Sequence, residues 1–70
     1  GERVIQVAVN GEVMQVPQRS TLQDLIERLQ LAGKRIAVEV NLEIVPRSQH
    51  PDYQLQAGDR VEIVHAIGGG

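Results

Sequence analysis

The sequence predicts a single α+β domain in which one helix covers one face of a mixed sheet of four to five strands. Alternating runs rich in β-branched residues near both ends of the chain predict strands. A central segment has the apolar spacing of an amphipathic helix. The 70 residues suffice for one small core, which must be built from Val, Ile and Leu because Tyr53 is the only aromatic residue.

The chain opens with a predicted β-hairpin. Residues 3–9 alternate between apolar and other side chains, as a half-buried strand does. Asn10 and Gly11 then supply the residues that a type I′ turn favours, because both of its central positions need a positive φ. Residues 12–16 return as the second strand, and Pro17 ends it.

One amphipathic helix is predicted after the hairpin. Thr21 is its expected N-cap, and Asp24 stands three residues later, as in a capping box. Gly33 is the expected left-handed residue that stops the helix. The apolar stripe that should face the sheet consists of Leu22, Leu25, Ile26 and Leu29.

Two further strands and an irregular crossover follow the helix. Strands are predicted at residues 36–40 and 43–45 from their alternation. Residues 47–56 show no periodicity and contain a proline, so we expect a crossover with one turn of 3₁₀ helix, anchored by Tyr53 and Leu55. A turn at residues 57–59 leads into the final strand.

The order of elements predicts the topology. A right-handed crossover through the helix, with the C-terminal strand placed beside the first strand, gives a β-grasp fold with the order ββαββ. The helix then covers one face of the sheet and leaves the other face open. We assign residues 1–67 to this domain and residues 68–70 to a flexible tail.

The end of the chain is the predicted functional group. Gly68, Gly69 and Gly70 follow the last strand, so an arm without side chains reaches roughly 10 Å beyond the core. Such an arm can enter a channel in which any Cβ would collide. Its reactive group is the carboxylate of Gly70, which is ionised at neutral pH.

Composition argues against several other classes of protein. The absence of cysteine excludes a disulfide, a thiolate metal site and a catalytic thiol. A net charge of −2 without a basic stripe argues against nucleic-acid binding. No apolar run approaches the length of a membrane span, which predicts a soluble, cytoplasmic protein without a membrane partner. His50 and His65 lack a spaced third ligand, so no metal site is expected.

Six segments carry a resemblance to a known family and together extend over nearly the whole chain. They are Val9 to Glu12, Ser20 to Leu22, Ala37 to Asn41, Ile44 to Arg47, Gly58 to Val64, and Ala66 to Gly70. The chain resembles the ThiS family of ubiquitin-like sulfur carriers of thiamine biosynthesis. The stretch from Asn41 to Arg47 is the part that separates ThiS-like carriers from the related small subunit of molybdopterin synthase.

The resemblance implies a function for the tail. An E1-like, ThiF-like enzyme would use ATP to adenylate the Gly70 carboxylate, and sulfur from a persulfide protein would then leave a thiocarboxylate there. Thiazole synthase would accept that sulfur. Because the chain has no phosphate-cradling loop and no cysteine, we expect a substrate and carrier that binds no cofactor itself and is not an enzyme.

Three alternatives stay open at this point. The chain could be a molybdopterin-synthase-like carrier, a ubiquitin-like modifier attached to lysines through Gly70, or a β-grasp binding module without covalent chemistry. Its single lysine, Lys34, argues weakly against a modifier that forms chains on itself.

The open sheet face is the predicted docking surface for partner enzymes. Small apolar side chains rimmed by carboxylates are typical of an interaction site, and the acidic rim would steer a basic partner. The predicted docking residues are Ala37, Glu39, Glu62, Val64, Ala66 and Ile67.

Overall fold

The computed structural model describes residues 3–66 and places the secondary structure in the predicted order. The described elements are β1 (Val4–Val9), β2 (Glu12–Pro17), α1 (Leu22–Arg28), β3 (Ile36–Val40), β4 (Glu43–Ile44), a 3₁₀ helix (Arg47–Asp52) and β5 (Arg60–His65). Ile67 and the glycine tail lie outside these residues. Within residues 3–66, no helix is both long and apolar enough to cross a membrane.

The strands form one five-stranded mixed sheet in the order β2-β1-β5-β3-β4. β1 and β5 are parallel, whereas the other neighbouring strands are antiparallel. The C-terminal strand therefore lies in the middle of the sheet, beside the N-terminal strand. This arrangement confirms the predicted β-grasp fold.

A purely aliphatic core fills the space between α1 and one face of the sheet. The helix contributes Leu22, Leu25 and Ile26, each at most 3% exposed. The inward residues of the strands pack against them, and Leu55 of the crossover closes the core. The buried apolar residues are Val7, Val9, Val16, Leu22, Leu25, Ile26, Val38, Val40, Val45, Leu55, Val61 and Ile63.

The crossover is attached to the start of α1 by backbone hydrogen bonds. The Leu22 N–H donates to the Tyr53 carbonyl at 2.8 Å, and the Leu55 N–H donates to the Ser20 carbonyl at 2.8 Å. The 3₁₀ helix has six residues, so it is longer than the single predicted turn. Tyr53 is half-buried against the core and Leu55 is fully buried, as expected for the anchors of this segment.

The start of α1 is the predicted capping box. The Asp24 N–H donates to Thr21 Oγ1 at 3.1 Å, and the Thr21 N–H donates to Asp24 Oδ2 at 2.9 Å. Both bonds satisfy N–H groups that a helix start otherwise leaves without partners. The sequence therefore located this end of the helix correctly.

The prediction that Gly33 stops α1 is wrong. The helix ends at Arg28, and Gln30 is the residue with left-handed backbone, at φ +62°. The Leu31 N–H donates to the Ile26 carbonyl at 2.9 Å and the Gln30 N–H to the Glu27 carbonyl at 3.0 Å, which together form a Schellman motif. Gly33 also has a positive φ, +80°, but in the loop beyond the helix.

We predict that Gln30→Gly stabilises the protein. Glycine adopts the left-handed conformation without the Cβ strain that glutamine has there, so the free energy of unfolding should rise by about 0.5–1 kcal/mol. Urea unfolding measures the change. Gln15→Gly, at an exposed position in β2, is the control and should destabilise instead. Equal destabilisation by both substitutions would contradict the role of Gln30 as the helix stop.

Candidate functional site

The candidate site is β5 together with the sheet face opposite α1, because β5 leads towards Gly70. β5 pairs with β1 at Ala8·Arg60 and Val9·Val61, and with β3 over five residue pairs. The last described bond of this ladder joins the Ala66 N–H to the Arg35 carbonyl at 2.9 Å. The strand that precedes the tail is therefore held by neighbours on both sides.

The side chain of Asn10 extends the contact between β1 and β5 past the end of β1. Its Nδ2 donates to the Ile63 carbonyl at 3.2 Å, and its Oδ1 accepts from the Ile63 N–H at 2.8 Å. The side-chain amide of Asn10 thus makes the two hydrogen bonds that a backbone peptide group of β1 would have made if the strand had continued. Asn10 has φ +49°, as the predicted hairpin turn requires, so one residue both turns the chain and fixes β5.

Asn41 performs a similar role on the β3 side, at the start of β5. Its Oδ1 accepts from the Arg60 N–H at 3.0 Å, and its Nδ2 donates to Asp59 Oδ1 at 3.0 Å. The second carboxylate oxygen of Asp59 accepts from the Gln56 N–H at 2.8 Å, which satisfies this buried acid. Asn41 also has a positive φ, +52°.

Sequence reasoning missed the roles of both asparagines as side-chain clamps. The sequence patterns used Asn10 for the backbone conformation of its turn and Asn41 as part of a family motif. The available signal was the presence of asparagine, since its amide can hydrogen-bond backbone from a left-handed turn position.

The open sheet face carries the predicted docking residues of the described range in adjacent rows. Ala37 lies opposite Val64, and Glu39 lies opposite Glu62. Val64 is 60% exposed, Glu62 is exposed and Glu39 is half-buried. Ala66 is exposed one row further towards the tail. The structure thus brings these five residues together, while their role in docking stays a prediction, and Ile67 lies outside the described residues.

Ile44 also belongs to this surface, although it is not among the predicted docking residues. Ile44 pairs with Glu39 on the β4 side, which places it on the same face, and it is 70% exposed. An apolar side chain therefore stands at the outer edge of the carboxylate row.

The two histidines have different surroundings. His50 is buried, and its Nε2 lies 3.0 Å from the carbonyl of Val45, the residue that follows β4. His65 is exposed at the end of β5. Residues 3–66 contain no group of three or more His, Asp or Glu side chains that could hold a metal ion.

The phenol of Tyr53 in the crossover has a raised pKa. Burial raises the pKa of its phenol, and the nearby carboxylates of Asp59 and Glu43 raise it further. The phenol is therefore neutral at physiological pH and serves as an anchor of the crossover.

The fold and the open face define a ubiquitin-like β-grasp protein, with its last strand at the centre of the sheet. The ThiS family model matches residues 7–70, and the chain belongs to that family. Over 94% of the chain it is 32% identical to the whole length of the sulfur carrier protein ThiS of Escherichia coli. The structure of the chain also superimposes on the crystal structure of the thiamine biosynthesis protein ThiS of Geobacter metallireducens, with a TM-score of 0.82 and 28% identity. The superposition covers 94% of this chain and the complete chain of that protein.

The chain is also similar to part of a larger protein. It is 38% identical, over 94% of its length, to a segment of the thiazole synthase of Paramagnetospirillum magneticum. The chain spans about a fifth of the length of the two thiazole synthases that it matches.

Proposed function

We propose that this chain is a sulfur carrier that delivers sulfur for thiazole formation in thiamine biosynthesis, with the sulfur bound at Gly70. The observation that carries the proposal is the family match, which runs through residue 70 and includes a sulfur carrier protein aligned over its full length. The position of β5 supports it, since a strand fixed on both sides leads directly to the tail.

The proposed chemistry begins with activation of the Gly70 carboxylate. A carboxylate is a poor electrophile because its charge is shared by two oxygens. An E1-like, ThiF-like enzyme joins it to the α-phosphate of ATP, which forms an acyl-adenylate and releases pyrophosphate. The terminal sulfur of a persulfide protein attacks the carbonyl carbon, and AMP leaves. A thiol then cleaves the resulting acyl disulfide, which frees the thiocarboxylate and yields a disulfide.

In this proposal the chain is a substrate and not an enzyme. ATP is bound by the activating partner, because the sequence lacks a phosphate-cradling loop. Sulfur must come from outside this chain, because the chain has no cysteine on which a persulfide could form, and we propose a persulfide protein as the donor. We place this reaction in the cytoplasm, where ATP is available to the activating enzyme.

We propose thiazole synthase as the acceptor of the sulfur. Support comes from the thiazole synthases that contain a segment similar to this chain, since a carrier and its acceptor gain effective concentration when they share a polypeptide. The open sheet face is the proposed docking surface for the partner enzymes, with Val64, Ala37 and Ala66 at its apolar centre.

Intact-mass measurement tests the proposed function. The protein is incubated with a ThiF-like enzyme, ATP and a sulfur source, and we expect the mass to increase by the replacement of one oxygen by sulfur. Fragmentation should place the change on Gly70 and identify Gly70 as the last residue of the mature chain. Linkage to a lysine of another protein would favour a ubiquitin-like modifier, and an unchanged mass would favour a simple binding module.

A further inference from the structure

The two strands nearest the tail carry a row of charges of opposite sign on the open face. Glu39 and Glu62 face each other, Ala37 and Val64 form the next pair, and the bond from Ala66 to Arg35 continues the ladder. Alternation along the strand places Arg35 on the same face as Ala37. We call these three pairs the charge ladder: an acidic pair, an apolar pair and, nearest the tail, a pair that contains a cation.

We propose that the activating enzyme recognises the charge ladder in a fixed register, with one of its carboxylates beside Arg35 and one of its basic side chains over Glu39 and Glu62. This inference rests on the proposed function and adds to it the polarity of the partner's surface. Docking on a basic partner alone would leave Arg35 facing a surface of its own sign.

The charges are far enough apart for a partner to distinguish one register from another. Arg35 directly precedes β3, and Glu39 lies four residues further along the extended chain, a distance of about 13 Å. The Debye length at physiological ionic strength is roughly 8 Å. Because their separation exceeds the screening length, an approaching partner experiences two separate charges and not their sum. Complementarity therefore requires a partner with two charges of opposite sign at a matching distance.

The reach of an extended tail favours a protein carboxylate as the anionic partner of Arg35. Four residues join Ala66 to Gly70, so an extended tail places the reacting carboxylate up to about 13 Å away. An arginine side chain reaches only about 7 Å. When the tail is fully extended into the active site, Arg35 is therefore too far from the acyl-adenylate to contact its phosphate. It can contact the rim of the channel that the tail enters.

The acidic pair, Glu39 and Glu62, favours a basic side chain on the partner. Like charges directly opposite each other destabilise a sheet, and Glu39 and Glu62 occupy such a pair. Arg60 lies on the same face beyond Glu62, on the side away from the tail. On the side towards the tail, the next position of the ladder is apolar. An incoming guanidinium or ammonium group would relieve the repulsion there, so a basic side chain of the partner fits this position.

A charge swap that leaves the net charge unchanged tests this inference. In the double variant Arg35→Glu, Glu39→Arg, we expect the KM for activation by a ThiF-like enzyme to rise by about tenfold or more, while kcat stays within twofold. The rise should shrink as salt is added, because each reversed contact is screened. Thermal unfolding of the double variant establishes that it is folded.

The matched control makes the same exchange on the opposite side of the molecule. Glu27 and Arg28 are exposed on α1, and the double variant Glu27→Arg, Arg28→Glu should leave KM within twofold of the unmodified protein. An unchanged KM in the ladder swap, or an equal rise in both swaps, would overturn the register. If the unmodified protein gains no sulfur at all, the proposed function fails instead, which is a distinct result.

Discussion

A single alanine appended after Gly70 is expected to abolish thiocarboxylate formation and leave the stability of the protein unchanged. In the extended chain the Gly70 carbonyl belongs to an amide, which cannot be adenylated, and the new carboxylate carries a Cβ beside it. Deletion of Gly70 withdraws the carboxylate by one residue, about 3.4 Å. Since a misplacement of about 1 Å can cost a hundredfold in rate, both variants should lose at least that factor. Intact mass after incubation with the activating enzyme measures the loss.

The matched control places the same alanine before Gly1, at the other end of the chain. This variant should gain sulfur at the rate of the unmodified protein, because its Gly70 carboxylate is intact. The urea midpoints of all three variants should agree, since the buried core lies within Val7 to Ile63. Normal sulfur gain by the C-terminally extended chain would show that another group is the site of activation.

The features that were predicted correctly from the sequence are determined by residues close together along the chain. The hairpin turn follows from Asn10 and Gly11, which have φ values of +49° and +86°. The start of α1 follows from Thr21 and Asp24, whose two reciprocal bonds need no other part of the chain. Alternation likewise assigned Val64 to the open face, because a strand places successive side chains on opposite faces.

The end of α1 was mispredicted because tertiary packing determined it. Leu31 is partly buried against the core, and its N–H bonds to Ile26 at the start of the last turn. An apolar contact of this kind accompanies a Schellman motif and fixes the position of the left-handed residue. The gain from burying Leu31 outweighs the preference for glycine, so Gln30 and not Gly33 is the left-handed residue that ends the helix.

The asparagine clamps could not be predicted because they join distant parts of the sequence. Asn10 and Ile63 are 53 residues apart, and Asn41 and Arg60 are 19 residues apart. Only the strand order places either amide beside the backbone that it binds. The sequence predicted that β1 and β5 are neighbours, but it did not predict the register between them. That register decides that β1 ends beside Ile63.

Replacement of Asn10 by glycine is expected to destabilise the protein and to release the end of β5 in particular. Glycine keeps the positive φ of the turn, so the substitution isolates the two amide bonds to Ile63. Their loss should lower the free energy of unfolding by about 1–3 kcal/mol, at about 0.5–1.5 kcal/mol for each bond. For a domain of this size, that is a large share of the stability. Urea unfolding measures the change.

Hydrogen exchange separates a local role of Asn10 from a general one. The amide of Ile63 should lose more protection than the amide of Val7, which lies in β1 next to β2 and reports the stability of the whole domain. Gln30→Gly introduces glycine at another left-handed position without removing a side-chain clamp. This substitution should raise the free energy of unfolding, whereas Asn10→Gly should lower it. An equal loss of protection at Ile63 and Val7 would mean that Asn10 supports the sheet as a whole. A selective loss at Ile63 would mean that the Asn10 side chain determines how firmly β5 is held at Ile63.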